Sequence, residues 1–415
     1  MIITDFASYA VQGDWTMAFQ AAVSAIEQAG GGVLRVPSGV YYTGPIRLTS
    51  HMRFEVEAGA EIRFFDDEKK FPTIELEFEG ILGQAYTPCL YAEDAEFVTV
   101  CGDGTLNGQG AYWWKRHRNK ELTVTRPYLV CFNRCKHVTI SGLTLTNSPV
   151  WTVHPLRCDD VTIMDLRIIN PWDSPNTDGI DPDACSDVSI LNCSIDVGDD
   201  CIAIKSGTED TLNKRPCERI VISGCHFIHG HGGVVLGSEM SGGIHDVVVS
   251  SCVFHQTDRG FRLKTRRGRG GSVSGLRASN LIMDGVMCPF VFNMYYFCGK
   301  KGKTPVVSDK NALPFDEGTP SLSDVNITGV SIRNCTACAG YFYGLPESKV
   351  KNVTISDVTV SYADGEPCTP AMMADCPQMQ RRGFYLRNTE EVTLSKLRFS
   401  GLEGEAVDSD TLINQ

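Results

Sequence analysis

The chain has 415 residues, with 38 Lys and Arg against 50 Asp and Glu, a formal charge of −12, and 42% hydrophobic residues. That composition excludes a disordered or fibrous protein. It also lacks the broad positive field that nucleic acid or an anionic membrane surface requires, so neither is an expected partner. No stretch approaches the roughly 18 uninterrupted apolar residues of a membrane span. The opening MIITDFASYAVQGDWTM shows no basic segment leading into an apolar run, so no secretory signal is read there and a cytoplasmic setting is expected.

In chain order, the first predicted element is a helix over residues 14–29. Asp14 is its expected N-cap, Trp15, Ala18, Phe19, Ala22, Val23 and Ile26 form one apolar face, and Gly30, Gly31 and Gly32 end it. This cap spans residues 14–30 and is expected to cover the open end of a stack of strands, where unpaired edges would otherwise invite aggregation.

From residue 137 a nine-residue block recurs. HVTISGLTL begins at His137, DVTIMDLRI at Asp160, DVSILNCSI at Asp187, RIVISGCHF at Arg219 and DVVVSSCVF at Asp246. Further copies begin at Gly275, Asp324, Asn352 and Glu391. Apolar residues hold the second, fourth, seventh and ninth places. Alternation by two marks a half-buried strand, and the slip in phase between the fourth and seventh places marks a corner leading to a second strand facing the same core. Early intervals of 23, 27, 32, 27 and 29 residues suit one coil of a solenoid, which is stable only when neighbouring coils stack on it. The expected fold is all-β, a parallel β-helix over residues 1–415 as one domain, with an acidic, weakly patterned tail at 400–415.

A third strand per coil can be aligned on Ile180, Ile202, Val234, Phe261, Phe290, Tyr341 and Phe384, each preceded by a small or kinked residue. The 17 cysteines show no regular pairing pattern, and several take apolar places in the repeat, so they read as mostly reduced small hydrophobes. Cys335 and Cys338 are spaced like half a zinc site, but no second pair with matching His or Cys lies nearby, and no metal or cofactor is expected.

Four polar clusters fall at or just before that third strand on consecutive coils: Asn176-Thr177-Asp178-Gly179, Gly198-Asp199-Asp200, Gly230-His231-Gly232 and Arg262-Leu263-Lys264. Each alone is an ordinary turn or a solvated strand face. Together they are in register, and coils rising about 4.8 Å would gather them into one groove on the order of 15 Å long. Three carboxylates beside an imidazole and two cations suit hydrolysis of a glycosidic bond in an acidic sugar. One acid gives a proton to the leaving oxygen, and a nearby anion favours its protonated form. The others hold and deprotonate water. Arg262 offers a two-pronged fork for a sugar carboxylate and Lys264 a point charge. Arg266, Arg267 and Arg269 are expected to extend a positive rim, the alternative for the last two being a solvated loop.

These residues resemble glycoside hydrolase family 28, the polygalacturonases and their relatives. The opening TDFASYAVQGD, AFQAAV and AGGGVLRVPSGVYYTGPI is similar to that family's N-terminal segment, and NTDG, GDD, GHG and RLK match its four signature clusters in order and spacing. The resemblance implies a right-handed β-helix that hydrolyses α-1,4 bonds between galacturonic acid units with inversion and without metal. It implies Asp199 as general acid, Asp178 and Asp200 as activators of water, and His231 as support for the acid. Arg262 and Lys264 would bind the galacturonate carboxylate and Asn176 would orient the site. Tyr296 falls at a substrate-contacting tyrosine, with Tyr295 one residue away. Strand stacking puts the carboxylates about 5 Å apart, a separation that by itself would indicate retention, and inversion is taken from the family. His154 is expected to line a subsite, the alternative being a structural ring before Pro155.

A cytoplasmic enzyme would meet pectin-derived oligogalacturonides rather than polymer, and short chains favour attack from one end. Segments 107–127, with Trp113, Trp114, Arg116 and Arg118, and 299–323 are candidates to close one end of the groove. The alternatives are an endo-polygalacturonase or a xylogalacturonan or rhamnogalacturonan hydrolase. A pectate lyase would need a calcium cage, and a non-catalytic glycan-binding β-helix would lack the paired aspartates.

Overall fold

All nine repeat blocks turn at two residues with positive φ. The first place of every block, from His137 to Glu391, has φ between 53° and 70°, and the sixth, from Gly142 to Lys396, between 52° and 79°. The left-handed region is costly for most L-residues and least so for Gly, Asn and Asp, which fill most of the sixth places. That corner produces the phase slip seen in the sequence: one residue turns the chain, and the next strand again points its apolar residues inward. In the first block Val138, Ile140, Leu143 and Leu145 are all buried, and the same places are buried in the next three.

The computed structural model describes residues 1–299 and 301–413. Lys300, inside the 299–323 segment, and residues 414–415 of the predicted tail lie outside the described residues. The fold is a right-handed parallel β-helix, with few helices and its strands in long parallel sheets. Contacts within the chain divide it into two compact units, Met1–Asp199 and Asp200–Gln415.

The first unit opens with the predicted cap. Its helix runs Thr16–Gln28 with Trp15, not Asp14, at the N-cap; Asp14 accepts from the Thr16 backbone N–H at 2.9 Å and pairs with Lys70. Ala18, Phe19, Ala22, Val23 and Ile26 are buried as expected, while Trp15 is half-buried. Parallel strands then stack in register, with Val98, Val138, Val161 and Val188 forming one buried column. A second column runs Ile62, Leu106, Leu145, Ile168 and Ile195. An antiparallel hairpin, Thr73–Phe78 with Ile81–Tyr86, stands apart from these ladders.

In the second unit the column Ile220, Val247, Leu276, Val325, Val353 and Val392 repeats the pattern. The third-strand alignment holds for Ile202, Val234, Phe261 and Phe290. It slips at Tyr341: Phe290 lies opposite Gly340, which lies opposite Phe384. The reason is packing. Phe290 and Phe384 stack across the intervening coil at 6.3 Å, and a Cβ at Gly340 would stand 2.5 Å from the Phe384 ring. Part of the acidic tail forms the strand Val407–Ser409, paired with Arg382–Arg387.

All 17 cysteines are free thiols and most are buried. Cys135, Cys158 and Cys185 form a ladder in which the backbone N–H of one coil donates to the sulfur of the next, at 3.4 and 3.3 Å. They serve the core as small, polarizable fillers.

Gly340→Ala is expected to cost about 1–3 kcal/mol, since the added methyl meets an aromatic ring that the neighbouring coil holds in place. Gly83→Ala, where nothing lies within 4 Å, is the control and is expected to stay within about 0.5 kcal/mol of the parent. Denaturant unfolding of both variants checks this.

Candidate active site

In the first unit, Asp178 and Asp199 are brought together by the residues that precede them. Thr177 is fully buried, and its hydroxyl accepts from the Gly198 backbone N–H at 3.3 Å. Gly198 has to be glycine, because a Cβ there would lie 2.4 Å from the Ser174 carbonyl and 2.8 Å from that of Pro171. Asn170 ties the same knot from the other side, donating to the Thr152 hydroxyl at 2.9 Å, while the Thr152 N–H donates to the Asp178 carbonyl. The result is a pair of carboxylates, Asp178 buried and Asp199 half-buried, with oxygens within 4.8 Å of each other.

Asn176 adopts φ 55°, and its side-chain oxygen accepts from Arg126 Nη2 at 2.7 Å. Arg126, which no sequence pattern singles out, is 3% exposed and also donates through Nη1 to the carbonyls of Pro149 and Pro175, at 2.9 and 2.8 Å. Burial pushes its pKa down to about 10, against the attraction of Asp178, Glu79 and Asp199. A cavity of about 360 Å³ opens beside these two residues, walled by Phe78, Glu79 and Gln84 of the hairpin, by His117, and by residues 122–125.

His154 does not line a subsite. It is 0% exposed, with its ring against Tyr128 and Trp151 and Nε2 3.6 Å from Asp183. The third residue after Trp151 falls on an inward phase. Trp113 and Trp114 are likewise core residues: Trp113 packs on Phe71 and Tyr86, and Trp114 donates to the Ser148 carbonyl. Arg116 pairs with Glu68 and Glu121, and Arg118 with Asp173.

In the second unit, Asp200 begins the strand Asp200–Ile204 and is 1% exposed. Its Oδ1 accepts from Arg262 Nη1 at 3.2 Å and its Oδ2 from Lys264 Nζ at 2.7 Å. These partners sit two coils away, and Gly232 lies between: it is the register partner of Asp200, and Val235 and Gly237 are those of Arg262 and Lys264. A Cβ at Gly232 would stand 3.2 Å from Asp200 Oδ1 and 3.5 Å from Arg262 Cδ. The second glycine of the GHG cluster therefore leaves open the space between Asp200 and Arg262. Burial alone would raise the Asp200 pKa, but Lys264 and Arg262 outweigh it and hold the carboxyl well below the usual range. Lys205, also attracted to Asp200, pairs with the buried Glu239, whose pKa is lowered to about 2 because Lys205, Arg269 and Lys264 outweigh its burial.

Arg262 and Lys264 are only 3% and 7% exposed, since chain folds over the outward face of their strand. Arg259 donates to the carbonyls of Pro370 and Thr369, Asn293 to that of Met372, and Arg262 itself to the Met372 sulfur. Tyr296 completes the cover, with Arg262 and Lys264 at 5.5 and 5.1 Å from its ring centre. Tyr295 faces elsewhere, with Lys310 3.5 Å and Arg267 5.6 Å from its ring centre. His231 is exposed, immediately before Gly232.

The expected positive rim is absent. Arg266 and Arg269 are buried and both pair with Glu209, while Arg267 pairs with Glu347 and donates to the carbonyls of Val306, Asp309 and Asn311. Their carboxylate partners come from distant sequence, which is why neither a rim nor a solvated loop results.

A sequence model of glycosyl hydrolases family 28 matches residues 32–382. The chain belongs to glycosyl hydrolases family 28. A probable polygalacturonase of Vitis vinifera is 34% identical over 360 residues, covering 84% of this chain and 71% of that protein. An endo-polygalacturonase of Pectobacterium carotovorum subsp. carotovorum is 30% identical over 288 residues, 66% of this chain and 69% of that one. Among solved structures, a hyperthermoactive exopolygalacturonase from Thermotoga maritima aligns with a TM-score of 0.79 at 27% identity, over 97% of this chain and 91% of that chain.

In this family 28 chain, Asp200→Asn would leave two buried cations without their counter-charge, an expected loss of about 3–5 kcal/mol at pH 7. Because the folded pKa lies below the unfolded value of about 3.9, the contribution is fully present above that pH and is lost as pH falls below it. The gap between parent and variant in thermal unfolding is thus expected to narrow below about pH 4.

Proposed function

We propose that this chain is a polygalacturonase that hydrolyses α-1,4 bonds of oligogalacturonides from one chain end, releasing galacturonic acid with inversion. Membership of family 28 supports the bond class, and the observation that carries the mechanism is the Asp200–Arg262–Lys264 ion pair. Both oxygens of Asp200 are engaged by cations, so this carboxylate stays ionised across the working pH range. Buried and doubly paired, it is a poor nucleophile toward an anomeric carbon, while its remaining lone pairs can still accept a hydrogen bond from the attacking water. That favours the base-assisted attack of water over a covalent intermediate.

Exposure and partners support the following roles. Asp199, the half-buried acid of the pair in the first unit, gives its proton to the leaving oxygen. Asp178 and Asp200 hold and deprotonate water. His231, exposed beside Gly232, supports the acid's proton. Lys264, with ammonium hydrogens beyond the one given to Asp200, and Arg262 attract the uronate carboxylate, and Tyr296 supplies the ring that packs on both cations. Asn176 orients the sugar from the rim of its cavity.

Action from one end is supported by that cavity. Its walls are the antiparallel hairpin and the segment after the second helix, Ala111–Arg118, and about 360 Å³ has room for roughly one or two sugar rings. Gln84, Thr123 and Thr125 offer the neutral hydrogen-bonding groups that sugar hydroxyls take.

Incubation with defined galacturonate oligomers, with products separated over time, tests this. Galacturonic acid is expected from the first time point, and an early spread of intermediate lengths would establish endo action instead. Asp199→Asn is expected to lose about 10²–10⁴-fold in kcat; full activity in that variant would remove Asp199 from its role. Proton NMR of the first product reads the anomer, and retention there would overturn the water-attack scheme.

A further inference from the structure

Arg126 occupies a position that stability alone does not explain. Its guanidinium is desolvated, yet its three hydrogen-bond partners are neutral oxygens: the carbonyls of Pro149 and Pro175 and the side-chain oxygen of Asn176. Burying a cation without a carboxylate in contact is costly. What that placement achieves is geometric and electrostatic. Two of the partners, Pro175 and Asn176, lead directly into Thr177 and Asp178, and the third, Pro149, lies on the preceding coil. There Thr152 N–H holds the Asp178 carbonyl at 2.9 Å. One planar fork therefore clamps the backbone entering Asp178 to the neighbouring coil.

We infer that Arg126 is a positioning residue for the hydrolysis, fixing the segment that carries Asn176 and Asp178 and setting, through space, the pH range over which the acid pair works. This rests on the hydrolase reading under Proposed function. The charged groups facing Arg126 are Asp178 and Asp199 of the site, Glu79 at the hairpin tip, and Arg118 and His117 of the second helix. The three acids attract it and Arg118 repels it, while Arg126 itself helps to lower the His117 pKa, second to burial.

The sign is fixed by reciprocity. A cation attracted to carboxylates favours their ionised forms, so removing it favours their protonated forms. An acid that must be protonated then works to higher pH, and a base that must be ionised stops working at higher pH. Both limbs of the rate profile move the same way. A residue that only stabilised the fold would lower the melting temperature and leave the limbs in place.

The test compares wild type, Arg126→Gln and Arg126→Lys on a galacturonate trimer, with kcat and KM across pH and thermal unfolding of each. Arg126→Gln is expected to move both limbs of the kcat/KM profile up by about half a unit to one unit and to lower kcat at least tenfold, with little change in KM. Arg126→Lys keeps the charge but not the fork, and is expected to keep the wild-type limbs while losing several-fold in kcat. Limbs of Arg126→Gln that coincide with wild type would overturn the inference. Should that variant not fold, the Lys variant decides: kcat equal to wild type overturns positioning, and reduced kcat with unmoved limbs supports it. If wild type releases no galacturonic acid, or Asp199→Asn stays active, the hydrolase reading itself fails. If those controls behave and only Arg126→Gln leaves the limbs in place, the hydrolase reading stands and Arg126 is structural.

Discussion

A coil of this protein closes only because particular residues accept positive φ. At the first and sixth places of each block the backbone leaves the extended region for one residue, and the next strand re-enters with its apolar side chains inward. Because every block turns at the same two places, its strands meet their neighbours in parallel register, and side chains at equal places form columns. The columns of Val and Ile make the core of each unit. On the third strands the same registration sets how many coils separate the polar residues, and the Asp200 ion pair is built across it.

Within the second unit, that registration sets the distance between Asp200 and its cations at two coils. Gly232, at the intervening column position, leaves open the space between Asp200 and Arg262. Glycine acts here through the absence of a side chain, not through φ. Gly340 does the same for the stacked pair Phe290 and Phe384. In the first unit Gly198 lets Asp199 approach the Thr177–Asp178 segment, because the Pro171 and Ser174 carbonyls crowd the space where a Cβ would sit.

The charge balance near these sites follows a common pattern: buried cations are paired with carboxylates. Asp200 has Arg262 and Lys264, Glu239 has Lys205, Glu209 has Arg266 and Arg269, and Glu347 has Arg267. Arg126 departs from the pattern, being held by neutral oxygens while acids stand nearby.

The repeat, its corners, the cap helix and the four polar clusters were all legible in the sequence, because each depends on residues close in the chain. Periodicity identifies strands, and Gly, Asn and Asp mark where they turn. The sequence also singled out the acids and cations, since they fall at or just before the third strand on successive coils. Tertiary structure alone decided which cations are spent on carboxylates: Glu209 and Glu347 lie far in sequence from Arg266, Arg267 and Arg269. It alone showed that His154 is interior, that chain around Pro370 and Met372 covers Arg262, and that Arg126 reaches the backbone at Pro149 and Pro175. The physical reason is range. Strand phase follows from sterics between adjacent residues and is written locally, whereas burial and charge pairing depend on what other stretches of the chain bring to the same place.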